Sequence, residues 1–323
     1  AKLLASDSEE YDWPGHSWFG YSVAIDGDTA MIGAMAKSTF GAVYVFDPKG
    51  SSAHGKKFVR ALGDINGDGS QDIVALYRRD HELVATVKDA EAPRWIKTIR
   101  FDSNLLPVDL EVMPDKNRNG APELVFFGSG STGTLAEVRD SLTGEKLGAL
   151  YCDLNLAYID FELVADRTGD GTPELAMLGQ GTSYQGFMKV EIKVPADGSW
   201  IKGIPFNNYT PKDLSVWNRD DSSVSIGVLA ESKDPTRSDK VEIRDLATGQ
   251  VVKHLWVSKA YDLLQMEVVA DLNGNGAPEL AILREHPEDN SVSVQAMDTA
   301  SGNRFQWLGF SRDYRPVRFR VLD

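Results

Sequence analysis

Residues Asp64–Asp72 read D-I-N-G-D-G-S-Q-D, and the same nonapeptide chemistry returns three times. It reads D-K-N-R-N-G-A-P-E at 115–123, D-R-T-G-D-G-T-P-E at 166–174 and D-L-N-G-N-G-A-P-E at 271–279. The first three copies start 51 residues apart. A repeat of this length means stacked supersecondary units, none of which buries its apolar face alone. Every copy carries oxygen side chains at alternate positions, the pattern by which a tight loop serves a hard cation. Calcium takes roughly 6–8 such oxygens.

The expected ligands follow from that alternation. The first loop offers Asp64, Asn66, Asp68, the carbonyl of Ser70, and Asp72. The second offers Asp115, Asn117, Asn119, the carbonyl of Ala121, and Glu123. The third offers Asp166, Thr168, Asp170, the carbonyl of Thr172, and Glu174. The last offers Asp271, Asn273, Asn275, the carbonyl of Ala277, and Glu279. Gly69, Gly120, Gly171 and Gly276 stand where the chain must turn sharply, at positive φ. Asp, Asn and Gly also build turns without any metal, but four loops in register, each with an acid at position 9, favour Ca2+. The first and third loops carry three acids and the others two, so weaker binding is expected at Asp115 and Asp271. An EF-hand would place helices on either side; here the flanks are F-V-R-A-L-G and D-I-V-A-L-Y, so the loops join strands.

Within a unit, one strand ends at the first Asp and a second begins at the position-9 acid. A third, alternating strand follows, as in V-E-I-R (241–244), V-S-V-Q (292–295) and V-Y-V-F (43–46). It ends in a D-x-x-[T/S]-G turn: Asp140 to Gly144, Asp245 to Gly249, Asp298 to Gly302. A fourth strand often holds a tryptophan (Trp95, Trp200, Trp256, Trp307), expected to pack between units. Four short antiparallel strands per unit predict an all-β chain, a β-propeller of about six to eight four-stranded blades, some with calcium loops. The units fall at about 1–58, 59–109, 110–160, 161–212, 213–265 and 266–317, with a partial one at 318–323, all in a single domain. Trp217 begins W-N-R-D-D-S-S-V-S, a degenerate loop with Trp217 at position 1 and Arg219 at position 3, expected to bind no metal. The chain ends R-F-R-V-L-D, matching F-E-L-V-A-D (161–166), so either the molecule continues or its last strand closes a ring.

Residues 18–34, W-F-G-Y-S-V-A-I-D-G-D-T-A-M-I-G-A, resemble the FG-GAP motif of integrin α-subunit propellers and their secreted bacterial relatives. The D-x-N-x-D-G-x-x-[D/E] loops resemble the calcium loops of the same superfamily, VCBS-type repeats included. The resemblance implies a calcium-binding propeller, with relatives among biofilm-matrix adhesins. The first unit departs from it. Asp26-Gly27-Asp28 leads straight into a strand, leaving no room for a calcium loop. Its fourth strand is missing or reduced, and P-K-G-S-S-A-H-G-K-K (48–57) reads as a linker or the scar of an insertion. Either that blade borrows a strand or an insertion has been excised. Residues 2–6, K-L-L-A-S, could supply a loose outer strand, which in this family commonly ties the ring shut.

Composition bounds the function. The net charge of −14 disfavours nucleic acid and anionic membranes as partners. No run of ~18 apolar residues offers a transmembrane segment. The lone Cys152 excludes an internal disulfide. Millimolar calcium outside cells suits weak extracellular sites, so a secreted or cell-surface location is expected. The five histidines are scattered without catalytic-metal spacing, and no G-x-S-x-G elbow occurs. Tyr158, Tyr209, Tyr261 and Tyr314 each precede a unit's first loop position by 8 to 10 residues. They are candidates for stacking on a glycan or anchoring a protein, or else for plugging seams between blades. The leading expectation is a non-catalytic binding or adhesion propeller recognising an extracellular glycan or protein. A polysaccharide lyase or hydrolase, and a scaffold presenting another domain, are the alternatives.

Overall fold

The computed structural model describes residues 18–26, 29–35, 41–46, 58–79, 81–89, 95–131, 133–182, 187–195, 197–207, 209–219, 223–310 and 316–322. Among them there is no helix, and every regular element is a strand. Five sheets are each built from four consecutive strands. The first holds β4 (Phe58–Gly63), β5 (Asp72–Arg79), β6 (Glu82–Asp89) and β7 (Trp95–Phe101). The second holds β8 (Leu106–Met113), β9 (Glu123–Gly130), β10 (Gly133–Asp140) and β11 (Lys146–Tyr151). The third holds β12 (Leu156–Val164), β13 (Glu174–Gly181), β14 (Phe187–Lys193) and β15 (Trp200–Asn207). The fourth holds β16 (Tyr209–Asn218), β17 (Val224–Ser232), β18 (Asp239–Asp245) and β19 (Val251–Val257). The fifth holds β20 (Asp262–Val269), β21 (Glu279–Glu285), β22 (Val292–Asp298) and β23 (Arg304–Phe310).

Each sheet runs antiparallel in chain order, and the first strand of one lies against the first strand of the next. This is a β-propeller with four-stranded blades. Five blades are complete in consecutive strands, fewer than the six to eight expected. The two chain ends, read in the sequence as separate units, merge instead. β1 (Trp18–Asp26), β2 (Thr29–Met35) and β3 (Gly41–Phe46) form one further four-stranded sheet with β24 (Pro316–Leu322). β24 pairs antiparallel with β3, so the strand borrowed by the N-terminal unit is the last one of the chain. Residues 2–6 and 48–57 lie outside the described residues.

The blade core follows from strand position. A second strand has neighbours on both sides and faces two other blades, so its middle is a run of apolar residues, as in L-V-F-F of β9 and L-A-I-L of β21. In β9, Leu124 and Phe126 enter the cluster shared with the first blade. Val125 and Phe127 enter the one shared with the third. The period-2 alternation of a strand thus feeds two seams at once. Each fully buried side chain of this size contributes about 1.5–3 kcal/mol. Cys152 is buried in the second seam, where desolvation pushes its thiol up to about 12.

The outer strands explain a failed expectation. Trp95, Trp200 and Trp256 do not pack between blades; they are 61%, 62% and 50% exposed. They sit on β7, β15 and β19, edge strands whose outward residues have no sheet beyond them to cover the indole. The side chain of Trp307 lies outside the described residues.

Candidate metal centre

The four expected loops join first to second strands on one face of the propeller. Gly69, Gly120, Gly171 and Gly276 adopt φ of 92°, 91°, 81° and 86°, the turn that the sequence requires. Each loop is a mesh of hydrogen bonds made by its own acids. Asp64 accepts the N–H groups of Gly67 at 2.6 Å, Asp68 at 3.1 Å and Gly69 at 2.8 Å. Asp115 accepts those of Asn119 and Gly120, Asp166 those of Gly169 and Gly171, and Asp271 those of Gly274, Asn275 and Gly276. These bonds, that of Gly171 above all, hold the Asp166 carboxyl below its ordinary range, and those led by Gly276 do the same for Asp271.

Positions 3 and 5 continue the pattern. Asn66, Asn117 and Asn273 accept the N–H of the fifth residue, while Asp68, Asn119, Asp170 and Asn275 accept that of the seventh. Thr168 donates its hydroxyl to Asp166 at 3.4 Å. The seventh residues, Ser70, Ala121, Thr172 and Ala277, are thereby tied to position 5 through their amides. The position-9 acids reach back across the loop. Asp72 accepts from Ile65, Glu123 from Lys116 and Asn117, Glu174 from Arg167 and Thr168, and Glu279 from Leu272.

Those position-9 carboxylates are the unusual groups. Asp72, Glu123, Glu174 and Glu279 are fully buried, and among the described residues none meets a lysine or arginine side chain. Desolvation pushes Asp72, Glu123 and Glu279 above their ordinary values. Neighbouring acids push the same way: Asp68 and Asp89, Asp115 and Asp140, Asp271 and Asp298. A carboxylate raised by burial and like charge is short of positive charge.

Asp89, Asp140 and Asp298 are functional candidates that the sequence reading missed. The antiparallel register sets Asp72 opposite Asp89, Glu123 opposite Asp140 and Glu279 opposite Asp298. The D-x-x-[T/S]-G turn thus leans over the loop. Asp140 Oδ2 accepts the Asn117 amide at 2.6 Å and also that of Asn119. Asp298 Oδ2 accepts the Asn273 amide at 2.6 Å and also that of Asn275. The signal lay in the turn motif; what the sequence lacked was the register that brings it to the loop. Counted with these facing acids, the first loop has four and the other three loops three each, so the second and last loops rank level with the third and below the first.

The fourth blade lacks a full loop. Asn218 already pairs with Val224, so the connection is short. Trp217, expected at loop position 1, lies inside β16 and packs in the core. A Cβ on Gly227 would fall 2.9 Å from its indole ring, so a glycine there makes room for it. Arg219 takes the first loop position instead. The 51-residue spacing slips in this blade: Arg219 lies 53 residues after Asp166, as Asp213 lies 53 after its counterpart Asp160. Arg219 Nη2 donates to the turn residue Asp245 at 2.8 Å. Where two other loops offer amides to the turn acid, this one offers a cation.

The donor set fits a hard cation. It contains carboxylates, amides, hydroxyls and carbonyls, with no thiol or imidazole, which suits calcium rather than zinc or copper. Among the described residues no three carboxylates, histidines or cysteines converge on one point; each loop draws its oxygens from mixed side chains.

The tyrosines do not form an exposed ring. Tyr158 is buried and donates its hydroxyl to Glu191, while Tyr209 is buried beneath the Lys240 ammonium, 4.1 Å from the ring centroid. Both plug seams between blades. Tyr261 is half-buried and Tyr314 lies outside the described residues.

Residues 1–46 match the FG-GAP repeat family. No curated protein matches the chain. A protein of unknown function from Bacteroides caccae is similar in structure, with a TM-score of 0.54 and 11% identity, over 87% of this chain and 94% of that one. Kuenenia stuttgartiensis hydrazine synthase matches with a TM-score of 0.49 and 14% identity, over 74% of this chain. The chain spans 63% of that hydrazine synthase chain. The Dos1 propeller matches with a TM-score of 0.45 and 12% identity, over 79% of this chain and 63% of that one. At such identities the likeness speaks for the fold alone.

Proposed function

We propose that this chain is a calcium-stabilised, non-catalytic binding propeller of the secreted or cell-surface kind, recognising a glycan or a protein. The observation that supports the calcium reading is the set of four fully buried position-9 carboxylates beneath loops of alternating oxygens, none with a lysine or arginine partner among the described residues. Asp64, Asp115, Asp166 and Asp271 would hold the ion with the side chains at positions 3, 5 and 9 and the carbonyls of Ser70, Ala121, Thr172 and Ala277. Calcium there would neutralise clustered acids and tie each first strand to its second. Arg219 supports the same reading, since the one loop without the acids carries its own cation to the turn. The binding role rests on the fold and on the lack of a recognisable catalytic constellation in the sequence. The exposed tryptophans Trp95, Trp200 and Trp256 are the apolar surface such a role would use.

Calorimetric titration of chelator-treated protein with calcium tests the metal reading. Saturable heat below millimolar free calcium, with a matching rise in melting temperature, is expected. Absence of both at 5–10 mM, a range set roughly by the weakest extracellular sites, would reject it. Glycan-array binding with and without calcium tests the ligand class.

A further inference from the structure

The repeat makes one blade conspicuous. In the third strand of three blades a buried glutamate faces the preceding blade: Glu137, Glu191 and Glu242, opposite Phe126, Met177 and Val228 in register. Each is surrounded by cations. Glu137 pairs with Arg139 and Lys146, Glu191 with Lys189 and Lys193, and Glu242 with Lys240 and Arg244. Among the five complete blades the first carries Thr86 at this place, opposite Ala75, and the fifth breaks the arrangement in a different way. Gln295 stands in the glutamate's place, opposite Ile282, with Ser293 in place of Lys240 and Met297 in place of Arg244. Arg284 then enters from the second strand, where the fourth blade has Ala230.

Arg284 is 5% exposed and has only neutral partners. Nε donates to Ser293 Oγ at 3.1 Å and Nη1 to Gln295 Oε1 at 2.8 Å. The guanidinium lies over the Tyr261 ring, 4.0 Å from its centroid. Among the described residues no carboxylate pairs with it and Nη2 has no acceptor. Its neighbour Glu285 alternates to the opposite sheet face. Desolvation lowers the Arg284 pKa, and nearby Arg304 adds to that effect. His286 stands edge-on to the same Tyr261 ring at 5.2 Å, and its buried Nδ1 makes no hydrogen bond. Buried charges are normally paired, because an uncompensated one is costly. With Nε and Nη1 held by Ser293 and Gln295, Nη2 is the guanidinium nitrogen left to donate to a carboxylate oxygen.

We infer that the seam between the fourth and fifth blades holds a carboxylate-binding site centred on Arg284, with Tyr261 as its floor and Ser293 and Gln295 fixing the guanidinium. The ligand group is a carboxylate, carried by an acidic sugar or by a peptide. In the fourth blade Glu242 supplies that carboxylate from within the chain; in the fifth it comes from outside. The site lies near the end of β21 away from the Asp271 loop, and it stands independently of the calcium reading.

The test is titration of the intact chain, at fixed calcium and ionic strength, with glucuronate, with acetyl-dialanine, with glucose and with inorganic phosphate. Saturable binding of at least one carboxylate probe and none of glucose is expected; the tighter of the two identifies the source. Gln295→Glu places the missing carboxylate against Arg284, so it should melt at or above the wild-type temperature and bind the probe at least tenfold more weakly. Arg284→Met should lose binding likewise, and Arg244→Met in the fourth blade should keep it. No saturable carboxylate binding, phosphate tighter than both carboxylates, or a Gln295→Glu protein that binds like wild type would each overturn the assignment. If Arg284→Met does not fold, the Gln295→Glu result decides alone.

Discussion

Asp213 Oδ2 accepts the backbone N–H of Met266 at 2.6 Å, a bond that crosses from the inner strand of the fourth blade to that of the fifth. Asp160 makes the same latch one blade earlier, to Leu214 at 2.9 Å. Both aspartates follow a bulge in their strand, which turns the carboxylate toward the next blade. Asp213→Ala would leave a buried amide without its acceptor, a change that costs about 1–3 kcal/mol. Urea unfolding should show that loss, with Asp213→Asn milder. An unchanged midpoint would mean the latch contributes nothing.

The turn acids give a sharper test of the metal reading than the loop acids do. Asp140 touches Asn117 and Asn119 without belonging to the loop, and Thr143 anchors its other oxygen. Asp140→Asn should weaken calcium at the second loop several-fold and leave the Asp166 loop as it was. In wild type, calcium at 100 times its Kd should add about 2.7 kcal/mol to unfolding stability. Equal calcium response in wild type and variant would remove Asp140 from the site.

Arg118 occupies the fourth loop position with φ of 62°, where the other three loops have Gly67, Gly169 and Gly274 at 78°, 80° and 77°. A non-glycine residue in the left-handed region carries about 1–2 kcal/mol of strain, against about 0.5–1 kcal/mol of extra chain entropy for glycine. Arg118→Gly should therefore stabilise the second blade by roughly 0.5–1 kcal/mol. Thermal unfolding at fixed calcium measures it, and a lower melting temperature would contradict it.

The loops made the fold legible, because Asp, Asn and Gly at fixed spacing dictate turns between strands whatever packs around them. The hairpin from Asp26 to Thr29 and the absence of a full loop there were equally readable. Long-range register was not. Nothing local in D-S-L-T-G announces that Asp140 will stand opposite Glu123, since that depends on strands pairing through the whole blade. The slip at Trp217 has the same origin: a short loop and a longer preceding connection cancel in the residue count, so spacing alone put an inner-strand tryptophan in the loop. Tyr158 and Tyr209 read from sequence either as ligand-facing or as seam-plugging; both lie in first strands, β12 and β16, and their rings turn inward onto Glu191 and Lys240.

Acid should find the fourth blade through Glu242. Burial pushes this carboxyl up, but Lys240 and then Arg244 pull it further down, so it titrates below its usual value. A depressed carboxyl favours the folded state only while it is charged. Its contribution is complete above the unfolded value of about 4.3 and is lost as pH falls through the lower folded value. Glu242→Gln leaves Lys240 buried, with its ammonium deprived of the carboxylate partner it had in wild type. Breaking a buried pair in this way costs about 3–5 kcal/mol at neutral pH. Wild type and variant should therefore differ most at pH 7, begin to converge below the unfolded value of about 4.3, and meet only once pH has fallen through the lower folded value of Glu242. Urea unfolding followed from pH 7 to pH 3 gives the two curves. A gap that stays constant across that range would show that Glu242 is not the charged partner of Lys240.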